Sequence, residues 1–349
     1  MGTVRKPMDV RNGNSSYVTL IYKECLIGMR HSFFILLFCI IGLCTNAQSI
    51  IKHIGVSYNF EYAEKAIQYL ASKDQSMIKE MAGLDGAKHI FGHATFYGNI
   101  NKEVKIEEFL NDLLSKIPSD EVSIEKYKRN LEYAKEQIAK PNLPAKVCLD
   151  YLPKGYQFDC SLYITIGYDL GVGFNGNSSI NLAHPYYVKR ISEIKYFSIH
   201  ELHHAAFMDL KNNQKPSFDI TTYAEMYRII CFYTHLEALG TYSPLALRRS
   251  ENAMNADRDY IALQNQQLME QFEKEYFEII DHFKSEPDKI ITNADWEMIA
   301  PLSDGKRLWY RVGALMAEKI DKELGRERLN SLLTEDPQEF INTYLSIRD

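Results

Sequence analysis

Residues 196–208 read YFSIHELHHAAFM, and His200, Glu201 and His204 within them form the pattern H-E-x-x-H. The apolar residues on both sides predict a buried helix over residues 191–210, because a helix that is apolar most of the way round is buried. Each residue of a helix advances by about 100°, so the two histidines lie one turn apart on one face. Their imidazoles can bind one zinc ion from two of its tetrahedral directions. Glu201 lies beside that ion, where it can accept a proton from a water at the metal.

A third histidine, His203, offers a different pairing with His200, three residues before it. That pair would leave Glu201 and His204 without a role. A histidine-rich turn on an ordinary helix is the competing interpretation, but buried histidines and a buried glutamate need partners, which one metal ion would supply. We therefore predict His200 and His204 as metal ligands and Glu201 as the general base. His203 is expected to support the ligands or to face solvent.

The third ligand is expected on the following predicted helix, residues 221–242. A catalytic zinc takes three protein ligands and leaves its fourth position to water. The extended pattern H-x-x-G-x-x-H is absent, which favours a carboxylate, and the candidates are Glu225 and Glu237. Glu225 closes a capping box with Thr222, which gives it a structural role. Glu237 lies about 120° further round, in an apolar stripe, and a carboxylate there needs a zinc ion or an Arg or Lys partner; Glu237 is the predicted ligand.

The segment HELHH, together with THLEALGTY at residues 234–242, resembles the gluzincin class of zinc metallopeptidases. More narrowly, it is similar to a group of uncharacterised bacterial proteins regarded as zinc-dependent peptidases, whose second helix carries a Glu near a small residue and an aromatic one. The likeness continues in residues 309–317 and 325–344 and covers the chain from residue 149 on. Ala238 departs from the pattern, because such families often have Gly after the ligand.

This resemblance implies a zinc metallopeptidase that hydrolyses peptide bonds. Zinc and Glu201 would activate the water, and the oxyanion of the tetrahedral intermediate would need a further donor. Related enzymes often use a Tyr or His here, so Tyr310 is the first candidate and Tyr242 the second. In those families the edge strand of a small sheet lies above the zinc and pairs with the substrate backbone.

The remaining pattern predicts an α+β fold, mainly α and zincin-like (thermolysin-type). Residues 161–167, 172–174 and 179–182 read as strands of a small mixed sheet before the zinc helix, and Asn175-Gly176 predicts a hairpin turn. That hairpin either forms part of a substrate groove or has only a structural role. Residues 48–144 are expected to be a helical N-terminal part, and residues 145–349 the metallopeptidase-like domain. Helices are predicted over 60–81, 106–117, 123–139, 304–324 and 337–347, with a long polar helix from Ser243-Pro244 towards residue 285.

The N-terminal residues predict export. Met29-Arg30-His31 begins a basic segment, residues 33–43 are apolar, and Thr45-Asn46-Ala47 resembles a cleavage site, so residues 29–47 read as a signal peptide. Residues 1–28 are an upstream extension, with Met29 the expected start. The apolar run is too short to span a bilayer comfortably, although an uncleaved membrane anchor is the alternative.

Composition limits the partners. Residues 1–47 hold five of the 40 basic and two of the 46 acidic residues, which leaves 35 against 44 and a net charge of −9. No basic face for nucleic acid is indicated, and the expected partner is a peptide or protein substrate. Cys148, Cys160 and Cys231 remain, so at most one disulfide can form, with Cys148–Cys160 a possible pair.

The expected function is that of an exported zinc metallopeptidase. Two alternatives stay open: a non-catalytic binding protein on a zincin scaffold, and a zinc hydrolase of a non-peptide amide.

Overall fold

A computed structural model describes residues 49–53, 55–98, 100–157 and 159–348. The predicted signal peptide and the upstream extension lie outside these residues. Across the described part of the chain, no helix combines the length and the apolar character that crossing a bilayer requires.

Five short strands form one mixed sheet. They are β1 (Ile50–His53), β2 (Val56–Asn59), β3 (Cys160–Thr165), β4 (Gly171–Phe174) and β5 (Asn177–Asn181). The order is β1-β2-β3-β5-β4, in which β2 and β5 flank β3 in parallel and the outer strands pair antiparallel. The prediction of a small mixed sheet before the histidine helix is confirmed. Residues 48–144, expected to form a helical N-terminal part, also contain β1 and β2, which extend this same sheet.

The hairpin between β4 and β5 follows from its turn residues. Asn175 and Gly176 have φ values of 49° and 70°, and two left-handed residues in a two-residue loop give the turn that matches the twist of paired strands. The predicted hairpin is therefore confirmed, and it leaves β4 at the edge of the sheet.

The segment before β3 is otherwise helical. Its helices are α1 (Glu61–Ser72), α2 (Ser76–Ala82), α3 (Asp85–Phe96), α4 (Ile106–Ser115), α5 (Glu121–Tyr133), a π-helical turn (Ala134–Ala139) and α6 (Leu143–Leu149). The single helix expected over residues 60–81 is wrong, because Lys73 adopts a left-handed conformation with φ 58° and ends α1.

The second half is built almost entirely from helices. They are α7 (Pro185–Lys189), α8 (Glu193–Leu210), α9 (Tyr223–Tyr242), α10 (Leu245–Ser250), α11 (Arg258–Leu263), α12 (Gln266–Ser285), α13 (Asn293–Ser303), α14 (Leu308–Leu324), α15 (Arg326–Ser331) and α16 (Pro337–Leu345), with 3₁₀ turns at Asn212–Gln214, Met254–Ala256 and Leu332–Thr334. The long polar helix expected after Ser243 is wrong. It is divided into α10, α11 and α12 because Asp257 and Asn265 cap new helix starts with their side chains.

Helix α8 lies at the centre of this arrangement, against β4 and β5 on one side and α9 on another. Its first turn is held by a buried ion pair, in which Arg248 of α10 donates to both carboxylate oxygens of Glu193 at 3.1 and 2.5 Å. Loss of one partner from such a pair costs roughly 3–5 kcal/mol, because the other charge is left buried. This pair therefore holds the start of the histidine helix in place.

Candidate metal site

Helix α8 places three polar side chains at the point where it meets β4 and α9. His200, Glu201 and His204 are all buried, with 8%, 5% and 7% exposure. The centroids of the two imidazole rings are 4.3 Å apart, as expected for residues one helical turn apart. The three side chains offer ligand atoms within 4.8 Å of one another. This buried group can hold a metal ion.

Helix α9 brings a second carboxylate to the same point. The Oε2 atom of Glu237 lies 3.3 Å from Nε2 of His200 and 3.2 Å from Nε2 of His204. The Oε2 atom of Glu201 instead lies 3.5 Å from Nδ1 of His204, on the other side of that ring. The two imidazoles therefore present equivalent nitrogen atoms to Glu237, whereas Glu201 lies beside them.

The other candidate carboxylate, Glu225, has the structural role expected of it. Its Oε2 accepts hydrogen bonds from the backbone N–H groups of Thr221 and Thr222 at 2.8 and 2.9 Å. The Thr222 side chain accepts from the Glu225 N–H, which completes the capping box at the start of α9. These bonds stabilise the carboxylate and lower the pKa of Glu225 to about 2.

Three glycines, two on β4 and one on α9, allow these elements to approach the site closely. A Cβ atom added to Gly171 or Gly173 of β4 would lie 2.7 Å from Cγ of Glu201 or Cβ of His204, respectively. One added to Gly240 of α9 would lie 2.7 Å from Nε2 of His204 and 3.0 Å from Cε1 of His200. Any side chain at these positions would occupy the space that the site residues need.

Gly240→Ala is expected to weaken binding of a metal ion at this site, tested with zinc, by at least about tenfold. The added methyl group meets the tips of both imidazoles, so the rings must turn away from their shared orientation, while alanine favours the helix itself by about 1 kcal/mol. Zinc affinity is measured by competition with a chromophoric chelator, and thermal unfolding in EDTA shows whether the metal-free fold persists.

The matched control is Gly83→Ala at the exposed end of α2, where φ is −77° and alanine fits. Zinc affinity in Gly240→Ala equal to that of the unmodified chain would show that the close packing does not matter.

The electrostatics of the site favour a positive charge. Burial opposes the charged form of His204, but the carboxylates of Glu237 and Glu201 outweigh burial and raise its pKa to about 10. Burial likewise opposes the charge of Glu237, but the histidines hold its pKa well below the ordinary value. Nε2 of His204 and one Oε2 on each glutamate are buried without a partner in hydrogen-bond geometry. Buried polar atoms of this kind need a partner, and one cation could serve Nε2 of His204 and Oε2 of Glu237.

The site opens into a cavity of about 520 Å³, a typical size for a small-molecule or peptide subsite. Tyr310 of α14 lies on its wall, with its ring nearly parallel to that of His200 at 6.1 Å between centroids. Burial and the Glu237 carboxylate raise the pKa of Tyr310 well above its ordinary value, so the phenol keeps its proton. Tyr242 is outside the cavity lining, and its hydroxyl donates to Asp321 at 2.6 Å.

The same cavity contains residues that sequence reasoning missed. Arg307 and the strand residues Gly171, Val172 and Gly173 line it. The alternation Gly-Val-Gly was a usable signal, because glycine at every second position leaves one face of a strand open to close approach. Arg307 directly precedes α14 and has a φ of 49°. The helix predicted over residues 304–324 included Arg307, so its position before the helix start was not predicted.

The structure also bears on two further expectations, the position of His203 and the possible disulfide. His203 is completely buried, with Nε2 3.3 Å from the carbonyl oxygen of Tyr151, so a solvent-facing position is wrong. Burial lowers its pKa to about 3. Cys148, Cys160 and Cys231 are buried free thiols, and the possible Cys148–Cys160 disulfide is not formed.

Comparisons with protein-family models, with curated proteins and with solved structures returned no match for this chain.

Proposed function

We propose that this protein is a zinc-dependent metallopeptidase that hydrolyses peptide bonds, with His200, His204 and Glu237 as zinc ligands. The observation that supports this most is the approach of both Nε2 atoms to one Glu237 oxygen, at 3.3 and 3.2 Å. Around a tetrahedral zinc with bonds of about 2.0–2.1 Å, neighbouring ligand atoms are separated by about 3.3 Å. Two imidazoles and one carboxylate are also the ligand set of thermolysin-like catalytic zinc.

A bound zinc ion would polarise the substrate carbonyl and lower the pKa of a water to about 7. Glu201 is proposed as the general base, because its carboxylate is buried next to the proposed ligand histidines yet faces Nδ1 of His204 rather than the shared Nε2 side. It would take a proton from the attacking water and transfer it to the leaving amine. Burial helps this proton transfer by excluding bulk water from the carboxylate.

Tyr310 is proposed as the donor to the oxyanion. It is a protonated phenol beside Glu237 and His200, on the cavity wall. The guanidinium carbon of Arg307 lies 3.4 Å from the centre of its ring, so both a cation and the His200 imidazole contact the ring and fix its position. A fixed donor aimed at developing charge stabilises a transition state more than a mobile one does.

Tyr310→Phe is expected to lower kcat by about 10²- to 10³-fold, with little change in KM or zinc content. The ring and its packing on His200 and Arg307 are kept, so only the hydroxyl donor is lost. Steady-state kinetics on a cleaved peptide, with metal analysis of the same preparation, measure both quantities.

Tyr242→Phe is the control, because that hydroxyl bonds Asp321 outside the cavity; it should leave kcat unchanged. Equal kcat values for Tyr310→Phe and the unmodified enzyme would remove Tyr310 from the mechanism.

The edge strand β4 supports a peptide as the substrate. In a two-residue hairpin the flanking residues, Phe174 and Asn177, form a hydrogen-bonded pair, and such pairs alternate with non-bonded ones. With Gly173 opposite Ser178 and Gly171 opposite Ile180, the N–H and C=O groups of both glycines face away from β5. They lie on the cavity wall, where an extended peptide can pair with them.

The direct test is metal analysis of the purified chain combined with digestion of a broad peptide library. About one zinc per chain together with cleavage supports the proposal. Bound zinc without cleavage of any peptide would instead support a non-catalytic binding protein, and cleavage confined to non-peptide amides would redefine the substrate.

A further inference from the structure

A second cavity of about 560 Å³ adjoins the candidate active site. Three residues line both cavities: Leu170, Phe197 and Arg307. Arg307 therefore stands at the junction, and a substrate in the first cavity can extend past it into the second.

The Arg307 side chain is held in one orientation. Its Nε donates to Oδ2 of Asp259 at 2.9 Å, and its guanidinium carbon lies 3.4 Å from the ring centre of Tyr310. Asp259 is in turn bound by Arg311 Nε at 2.8 Å. Among the described residues, no acceptor bonds the two Nη groups of Arg307, and the side chain is 19% exposed. A guanidinium held at Nε with its Nη groups free is ready to bind a planar anion.

The second cavity is positively charged, although the chain as a whole carries a net charge of −6. Lys189, Arg190 and Arg258 line it, and none of the three has an ion-pair partner in the part of the chain that the structure describes. The lining also holds two acids: Asp259, which binds two arginines, and Asp257, which accepts from the Tyr186 hydroxyl and the Asp259 N–H. Four basic residues against these two acids leave the lining net positive, so an anion is favoured there.

The charge of the first cavity is different. Asp169 and Asp304 lie on its exposed side, so a negative group of the substrate is disfavoured there. This difference in charge between the two cavities would orient a bound substrate, with its anionic part in the second cavity.

We infer that Arg307 and the second cavity form a subsite for a carboxylate of the peptide substrate; this rests on the proposed peptidase function. The ring centroids of His200 and Tyr310 are 6.1 Å apart, and the guanidinium carbon of Arg307 lies 3.4 Å from the Tyr310 ring centre, so Arg307 is within about three residues of extended chain from the His200 ring. The carboxylate belongs either to the C-terminus of the substrate or to an Asp or Glu side chain near the cleaved bond.

Kinetics with paired peptides distinguish these two sources. A peptide that the enzyme cleaves is compared as the free acid and as the C-terminal amide. The amide form is then compared with Glu and with Gln at each of three positions on either side of the cleaved bond. A charge-assisted hydrogen bond contributes roughly 1.5–3 kcal/mol, so one series should show a preference of about 10-fold or more in kcat/KM for the carboxylate.

Arg307→Met should bring that ratio close to one, and Arg307→Lys should keep only part of it, because lysine retains the charge without the planar fork. Asp259 keeps its bond to Arg311 in both variants. Arg249→Met, which removes a cation paired with Glu318 on the surface, should leave the ratio intact. No preference in either series, or a preference that survives Arg307→Met, would overturn the inference.

A binding experiment separates failure of the subsite from failure of the peptidase assignment. Zinc-loaded protein is titrated with glutarate, and Arg307→Met of equal zinc content and melting temperature should bind it at least about 10-fold more weakly. This loss would support the carboxylate subsite even if no peptide is cleaved. Equal glutarate affinity in the two proteins would refute it whether or not peptides are cleaved.

Discussion

In the Glu201→Gln variant, peptide hydrolysis is expected to fall by about 10²- to 10⁴-fold, the usual contribution of a positioned general base. Glutamine has the same shape but cannot accept a proton, so water activation is lost. Zinc should stay bound at about one equivalent per chain, because Glu201 faces Nδ1 of His204 and not the Nε2 atoms that point to Glu237. Turnover of a peptide substrate and metal content are measured on the same preparation.

The control for this variant is Glu225→Gln. Both changes remove one carboxylate charge, but Glu225 is half-buried at the capping box that begins α9. It should lower thermal stability modestly and leave turnover unchanged. Activity retained in Glu201→Gln would contradict the proposed mechanism, and loss of zinc in that variant would make Glu201 a ligand.

Local patterns in the sequence were enough to predict the parts of the site that lie on single helices. The spacing of His200 and His204 follows from helix geometry alone, and the capping box separated Glu225 from Glu237 before any contact between helices was known. Both predictions rest on residues that lie about one helical turn apart: His200 and His204, and Thr222 and Glu225. Helix α8, the capping box and the Asn175-Gly176 hairpin were predicted for the same reason.

Features that depend on contacts distant in the chain were not predictable in this way. Strands β1 and β2 are four residues each; β2 joins the sheet by pairing with β3, about a hundred residues later, and β1 by pairing with β2. The position of Arg307 depends on Asp259, which lies on a different helix. Neither partner is indicated by local periodicity, because tertiary contacts decide short strands and loop residues.

Ala238, the small residue after Glu237, is a further position whose role depends on a contact distant in the chain. Ala238 departs from the pattern of the families that the chain resembles, where Gly often follows the ligand. In the structure Ala238 packs against Gly313 of α14, where an added Cβ would lie 2.8 Å from that of Ala238. Gly240, two residues later, is the glycine that faces the histidines. The departure therefore leaves the space around the imidazoles intact.

Glu237→Ala is expected to weaken zinc binding more than about 100-fold, beyond the effect of losing a residue that only supports a ligand. Two imidazoles alone cannot complete the site, and the atom removed is the one that faces both Nε2 atoms. Glu225→Ala, on the same helix, should bind zinc as the unmodified chain does. Zinc affinity of all three proteins is measured by chelator competition.

Thermal unfolding with and without zinc gives a second, independent measurement. A metal that binds only the folded chain stabilises it by about 2.7 kcal/mol at a concentration 100 times its Kd, so the unmodified protein and Glu225→Ala should melt higher with zinc. Glu237→Ala should show no such increase when its melting temperatures in EDTA and in zinc are compared. Zinc stabilisation that persists in Glu237→Ala and disappears in Glu225→Ala would reverse the assignment of the third ligand. Persistence in both would indicate that Glu201 joins the two histidines as the third ligand, since these three residues form a possible ligand group in the described part of the chain.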